Sequence, residues 1–79
     1  MDYQKILHVS EDRLRSKFPE IVDGIKDCII SGSTGGEIIF NVGGYLSDLK
    51  FNNPEAYVTI EKEISSYLKM CKENGIFFK

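Results

Sequence analysis

The last third of the chain carries the clearest alternation of apolar and polar positions. Apolar side chains recur there every three or four residues, which is the spacing of one helix face. The stretch opens on Asn53-Pro54-Glu55, a combination typical of a helix start, and ends at the stop signal Asn74-Gly75. The pattern therefore predicts a helix over 54–74 whose buried face consists of Tyr57, Ile60, Ile64, Tyr67, Leu68 and Cys71.

A second stripe of apolar residues runs from Leu14 to Ile29 and is interrupted by Pro19. Proline removes a backbone donor and disfavours helical geometry in the residue before it. The interruption predicts a short helix over 11–17 with Ser10 as its N-cap, followed by a longer helix over 19–30. Residues 2–9 have apolar positions at helical spacing, and a short strand is the alternative there.

The glycine-rich stretch SGSTGGEIIFNVGG, residues 31–44, has three interpretations. A phosphate-binding loop would need a lysine after its second glycine, where this chain has Glu37. A β-hairpin at about 28–42 agrees with the β-branched residues and would make the protein α+β. A helix start agrees with Thr34 and Glu37, which have the spacing of a capping box, and with the apolar period that follows. We favour the helix, over 35–50.

These elements predict one all-α domain over 1–79, a small antiparallel bundle of three main helices (19–30, 35–50 and 54–74) with shorter N-terminal helical segments. The hairpin at 28–42 is the alternative. A chain of this length buries only about 60% of the surface that its unfolded form exposes, so that its stability is marginal.

The negative charge is concentrated in the middle of the chain. The net charge is −2, and residues 20–48 contain five acids and one lysine. This balance argues against binding to nucleic acid. Glu20, Asp23 and Asp27 fall on the helix side opposite the apolar stripe, and Asp48 is further along the same acidic region. We interpret these four residues as a docking surface for a basic protein partner; a solvated face that keeps the protein soluble is the alternative.

The residue types that perform catalysis or bind metals are sparse. His8 is the one histidine, and Cys28 and Cys71 both fall on apolar helix faces, where free thiols fill space like small hydrophobes. No spacing of His, Cys or acidic residues is typical of a metal site. We therefore expect no catalytic residue, cofactor or metal. The sequence also has no apolar run long enough to cross a membrane and no signal-peptide pattern, which predicts a cytoplasmic protein.

The segment STGGEIIF, in which Gly36, Glu37 and Phe40 open an apolar helix, resembles the small all-helical immunity proteins that protect bacteria from their own toxins, of the colicin D immunity type. The resemblance implies a compact helical bundle whose acidic surface occupies the active site of a cationic nuclease toxin. The favoured function is thus a protein-binding, antitoxin-like inhibitor. The alternative is a homo-oligomeric structural or regulatory domain, such as a homodimer, that associates through the helix containing Gly43-Gly44 and through Phe77-Phe78.

Overall fold

The computed structural model describes residues 2–78, which form five α-helices and no β-strand. The prediction of an all-α bundle is confirmed. The alternative of a hairpin at 28–42 is wrong, because residues 28–31 complete one helix and residues 35–42 begin the next. In chain order the helices are α1 (Tyr3–Arg13), α2 (Pro19–Ser31), α3 (Gly35–Asn52), α4 (Pro54–Thr59) and α5 (Glu61–Glu73).

The start of α3 follows the predicted capping pattern. Thr34 has an extended backbone, and its hydroxyl oxygen accepts a hydrogen bond from the backbone N–H of Glu37 at 3.2 Å. This bond satisfies one of the donors that a helix leaves free in its first turn. Gly35 and Gly36 therefore belong to the first turn of α3 and not to a hairpin.

The N-terminal helix differs from its prediction. The predicted helix over 11–17 with Ser10 as N-cap is wrong: α1 begins at Tyr3, and the carboxylate of Asp2 accepts the backbone N–H of Lys5 at 2.8 Å. Ser10 lies inside the helix and is buried, and its hydroxyl donates to the carbonyl oxygen of Ile6 at 2.8 Å. A serine that satisfies its hydroxyl within its own helix can occupy a core position, which its usual role as a cap conceals in the sequence.

The helix predicted over 54–74 is divided at Ile60 into α4 and α5. The Thr59 hydroxyl donates to the carbonyl oxygen of Glu55 at 2.8 Å, one turn back, and this type of bond often bends a helix. The apolar period continues across the break, so that Ala56, Ile60 and Ile64 are all buried. A bend therefore leaves the apolar stripe intact and is hard to detect from periodicity.

The chain after α5 turns back onto the bundle. Gly75 has a φ of 77°, and the backbone N–H groups of Gly75 and Ile76 donate to the carbonyl oxygens of Lys72 and Cys71 at 3.1 and 2.8 Å. These two bonds and the left-handed glycine form a Schellman motif. The motif directs the C-terminal tail, residues 76–78, toward α3.

The core draws on all five helices. The Tyr67 ring is fully buried, and its hydroxyl donates to the carbonyl oxygen of Ile39 at 2.9 Å, which joins α5 to α3. The buried apolar residues are Ile6, Leu14, Ile21, Val22, Ile25, Val42, Leu46, Leu49, Ala56, Ile60, Ile64, Tyr67 and Cys71.

No helix within residues 2–78 combines the length and the apolar character needed to cross a membrane.

Candidate protein-binding surface

One side of α3 turns large apolar side chains toward solvent. Phe40, Gly44, Ser47 and Phe51 follow one another at spacings of four, three and four, which places them within a sector of about 60° on the helix. Phe40 is 55% exposed and Phe51 is 78% exposed. On the opposite side of the helix, residues such as Leu46 are buried in the core. Helix α3 is thus apolar on two sides, and within residues 2–78 one of them is left largely exposed to solvent.

The C-terminal tail adds two more aromatic rings to this side. The Phe78 ring lies against Gly43, where a Cβ atom would come within 2.6 Å of the ring carbon Cε2. The same ring packs at a tilt on Phe40, with 5.5 Å between the ring centroids. Phe77 remains 68% exposed. The small size of Gly43 thus makes room for the tail, a contact that the sequence pattern did not show.

Two shallow grooves flank these rings and share Phe40 and Gly44. The first, of about 370 Å³, lies over Gly44 and Ser47 and is bounded by Asp48 and the tail phenylalanines. The second, of about 510 Å³, lies between α2 and α3. We call the combined surface the aromatic face. The residues that line its grooves are Asp27, Cys28 and Ser31 of α2, Phe40, Asn41, Gly44, Tyr45, Ser47 and Asp48 of α3, and Phe77 and Phe78 of the tail. We include Phe51, which follows Ser47 on the exposed side of α3.

Close contact between α2 and α3 depends on Gly24. A Cβ atom at Gly24 would lie 2.6 Å from Cζ of Tyr45, so the tyrosine ring fits only because the glycine lacks a side chain. Burial raises the pKa of the Tyr45 phenol, and the negative charges of Glu20 and Asp27 raise it further. Both carboxylates therefore lie within electrostatic reach of this ring at the edge of the aromatic face.

The four acidic residues singled out in the sequence separate into two groups. Glu20, Asp27 and Asp48 are exposed, and within residues 2–78 none of them has an ion-pair partner. Asp27 and Asp48 line the two grooves of the aromatic face. Asp23 is also exposed but is directed toward the turn that follows α1, where its carboxylate accepts a hydrogen bond from the Arg15 guanidinium at 3.0 Å.

A cluster of charges joins α1 to α2 on the side where Asp23 lies. The Arg15 guanidinium donates two hydrogen bonds to the Glu11 carboxylate, at 2.8 and 3.0 Å, and Lys26 contacts the same carboxylate at 2.7 Å. These hydrogen bonds lower the pKa of Glu11 to about 2. Arg15 lies outside the acidic region 20–48 in the sequence, and the fold brings it to Asp23, where it neutralises part of the acidic row.

The histidine and the two cysteines do not assemble into a reactive site. His8 is exposed on α1, Cys71 is fully buried, and Cys28 is partly buried at the wall of the groove between α2 and α3. Burial raises the pKa of both thiols, and Asp27 raises that of Cys28 further, so that neither is activated as a thiolate. Of the two cysteines predicted to fill the core, Cys71 is fully buried there and Cys28 is only partly buried.

The acidic residues of this surface are visible in the sequence, but its apolar centre is not. Phe40 and Phe51 were hidden because α3 is apolar on both sides, and periodicity alone does not tell which side faces solvent.

Among residues 2–78, no group of three or more His, Cys, Asp and Glu side chains is arranged to hold a metal ion. No family model, no curated protein and no solved structure matches this chain.

Proposed function

We propose that this protein is a non-catalytic binding module that uses the aromatic face to dock a basic protein partner, in the manner of an immunity protein that blocks a cationic toxin. The proposal rests chiefly on the coincidence, on one surface, of exposed aromatic rings with carboxylates that have no ion-pair partner within residues 2–78. Phe40 and Phe77 supply the apolar contact area, and Asp27 and Asp48 supply charge beside them.

The charge of the face indicates the sign of the partner. Within residues 2–78, the two grooves of the aromatic face are lined by Asp27 and Asp48 and by no lysine or arginine. Glu20 adds a further carboxylate within electrostatic reach of Tyr45, whose pKa it helps to raise. An approaching basic surface would be steered toward these groups, whereas an acidic surface would be repelled.

The composition of the face is that of an interface centre with a polar rim. Binding energy in protein interfaces is concentrated in a few well-packed aromatic and arginine side chains, while charges at the rim govern association rate and specificity. Phe40 and Phe77 can act as such anchors. Asp27 and Asp48 can pair with lysine or arginine side chains of the partner at the edge.

The inhibitory mechanism would be steric and electrostatic. A nuclease active site is basic because it must bind phosphates. A small bundle that presents carboxylates around an aromatic centre can cover such a site and occupy its cationic side chains. This mechanism agrees with the resemblance of the STGGEIIF segment to colicin D type immunity proteins, and it assigns the docking role to Glu20, Asp27 and Asp48 more than to Asp23, whose charge is shared with Arg15.

The test compares two charge-reversed variants as bait in extracts of the native cell. One carries Asp27→Lys with Asp48→Lys on the aromatic face, and the matched control carries Asp12→Lys with Glu73→Lys at exposed positions elsewhere. We expect the wild type and the control to retain one stoichiometric partner that the face variant loses. The purified partner should carry excess positive charge, bind with an affinity that falls as salt rises, and lose any nuclease activity when bound.

Several results would contradict the proposal. A partner that both variants retain equally would show that the aromatic face is not the docking surface. An acidic partner would contradict the charge argument, and the absence of any stoichiometric partner would contradict the binding role. Circular dichroism spectra of both variants should match the wild type, since all four positions are exposed.

A further inference from the structure

The exposed side of α3 has a symmetric arrangement of large and small residues. Phe40 and Phe51 lie at its ends, and Gly44 and Ser47 lie between them. The midpoint between the two phenylalanines coincides with the midpoint between the two small residues. The side therefore reads large, small, small, large in both chain directions over about 16 Å of helix.

We infer that in the free protein this side of α3 is covered by α3 of a second copy, packed antiparallel about a two-fold axis between Gly44 and Ser47. A two-fold interface requires that one surface be complementary to itself. The axis places each Phe40 opposite the partner copy's Phe51 and each Gly44 opposite the partner copy's Ser47. Small residues at the crossing allow the two helices to approach closely, and the rings close both ends.

The flanking polar residues satisfy the same symmetry. Asn41 and Asp48 lie together on one flank of the exposed side, next to the stripe. Antiparallel packing brings equal flanks together, so that each Asp48 comes nearly level with the other copy's Asn41. The asparagine amide can donate to the carboxylate, and the arrangement occurs twice. The two Asp48 carboxylates are offset from each other along the direction of the helices and do not face each other.

The exposed aromatic area supplies most of what a specific dimer needs. Phe40, Phe51 and Phe77 are 55%, 78% and 68% exposed. Two copies could thus remove roughly 800 Å² of aromatic surface from water before any other side chain is counted. Specific interfaces begin at a total of about 1,000 Å². The shallow groove over Gly44 and Ser47 provides room for the backbone of the second helix.

This inference does not depend on the proposed function, because the second copy needs no other partner. The two are related by competition: a dimer covers part of the aromatic face, so that binding of a basic partner would dissociate it. The free protein would then keep its apolar side out of water until a partner replaces the second copy.

Sedimentation equilibrium of the purified chain from about 1 to 500 µM tests the association by mass action. We expect a reversible monomer–dimer equilibrium with a Kd below about 100 µM, in keeping with an interface near the lower size limit. Ser47→Glu places two carboxylates beside the axis and should raise the Kd by more than about tenfold. The matched control Ser65→Glu, at an exposed position on α5, should leave it unchanged. A monomer throughout the range, or equal effects of the two variants, would overturn the inference.

A charge exchange tests the register. Asn41→Asp places an aspartate opposite the other copy's Asp48 and should weaken the dimer by about tenfold. Adding Asp48→Asn restores the net charge and exchanges the two members of the pair, so the double variant should return to within about twofold of the wild type. Gln4→Glu adds one negative charge on α1 and serves as the control. A double variant that stays as weak as Asn41→Asp would show that α3 does not pair in this register. Circular dichroism verifies that each variant is folded.

Discussion

Because Gly43 contacts Phe78, the effect of Gly43→Ala on the free energy of unfolding should depend on Phe78, which lies 35 positions away in the sequence. Glycine inside a helix costs about 1 kcal/mol relative to alanine, so Gly43→Ala should by itself stabilise α3 by that amount. The new methyl group would, however, lie 2.6 Å from Cε2 of the Phe78 ring, and the ring would have to leave its site. Phe78 is about half-buried, and losing that burial costs about 1–2 kcal/mol.

The two effects nearly cancel in the wild-type background. We expect Gly43→Ala to change the free energy of unfolding by between 0 and about −1 kcal/mol, and Phe78→Ala to lower it by about 1–2 kcal/mol. In the Phe78→Ala background the clash is absent, and Gly43→Ala should then stabilise by about 1 kcal/mol. The double-mutant cycle, measured by urea denaturation at low micromolar concentration, should give a coupling of about 1–2 kcal/mol.

The neighbouring glycine provides the matched control. A Cβ atom at Gly44 would lie 3.8 Å from Phe78, which is an ordinary van der Waals contact. Gly44→Ala should therefore stabilise by about 1 kcal/mol with or without Phe78. Equal stabilisation by Gly43→Ala in both backgrounds would show that docking of the tail does not depend on the absence of a side chain at Gly43.

Two further predictions concern the helix ends and the charge cluster. Thr34→Ala removes the acceptor of the Glu37 N–H and should lower the free energy of unfolding by about 0.5–2 kcal/mol, whereas Ser33→Ala, one residue earlier and exposed, should leave it unchanged in urea denaturation. Because the pKa of Glu11 is lowered in the folded protein to about 2, its ion pairs stabilise the fold above pH 4.5 and lose this effect as the pH falls toward 2. Glu11→Gln should thus be less stable than the wild type at pH 7, and the difference should shrink as denaturation is repeated at pH 4.5, 3 and 2; a constant difference would show that the Glu11 charge does not contribute.

The helical architecture could be predicted from the sequence because local signals and apolar periodicity agreed. Thr34 and Glu37 marked the start of α3, Pro19 and Pro54 opened α2 and α4 at their first residues, and Gly75 ended α5. Each is a local feature whose physical effect does not depend on the rest of the chain. Where a residue's role depends on its own helix being already in place, as for Ser10, the same rules gave a wrong boundary.

The candidate surface could be predicted only in part because it is a property of the packed bundle. The acidic residues are visible in the sequence, but their pairing depends on which helix lies next to α2. Arg15 reaches Asp23 from across a turn, and Asp27 and Asp48 come to line neighbouring grooves from different helices. The exposure of Phe40 depends on which side of α3 meets the core. The pairing of the acidic residues and the exposure of Phe40 are thus set by tertiary contacts, which a local sequence pattern does not reveal.

The energetics of the tail suggest why the aromatic face includes it. Placing glycine at position 43 costs about 1 kcal/mol of helix stability, and the half-buried Phe78 ring returns an amount of the same order. The docked tail therefore does little more than offset the cost of glycine at position 43, and its main effect is on the shape of the surface. It forms one wall of the groove over Gly44 and Ser47 and places Phe77 in solvent beside Phe40. Releasing the tail would cost the burial of Phe78, about 1–2 kcal/mol, so a docked partner or a second copy that offers contacts of that size could move the tail and adjust the face to its own contour.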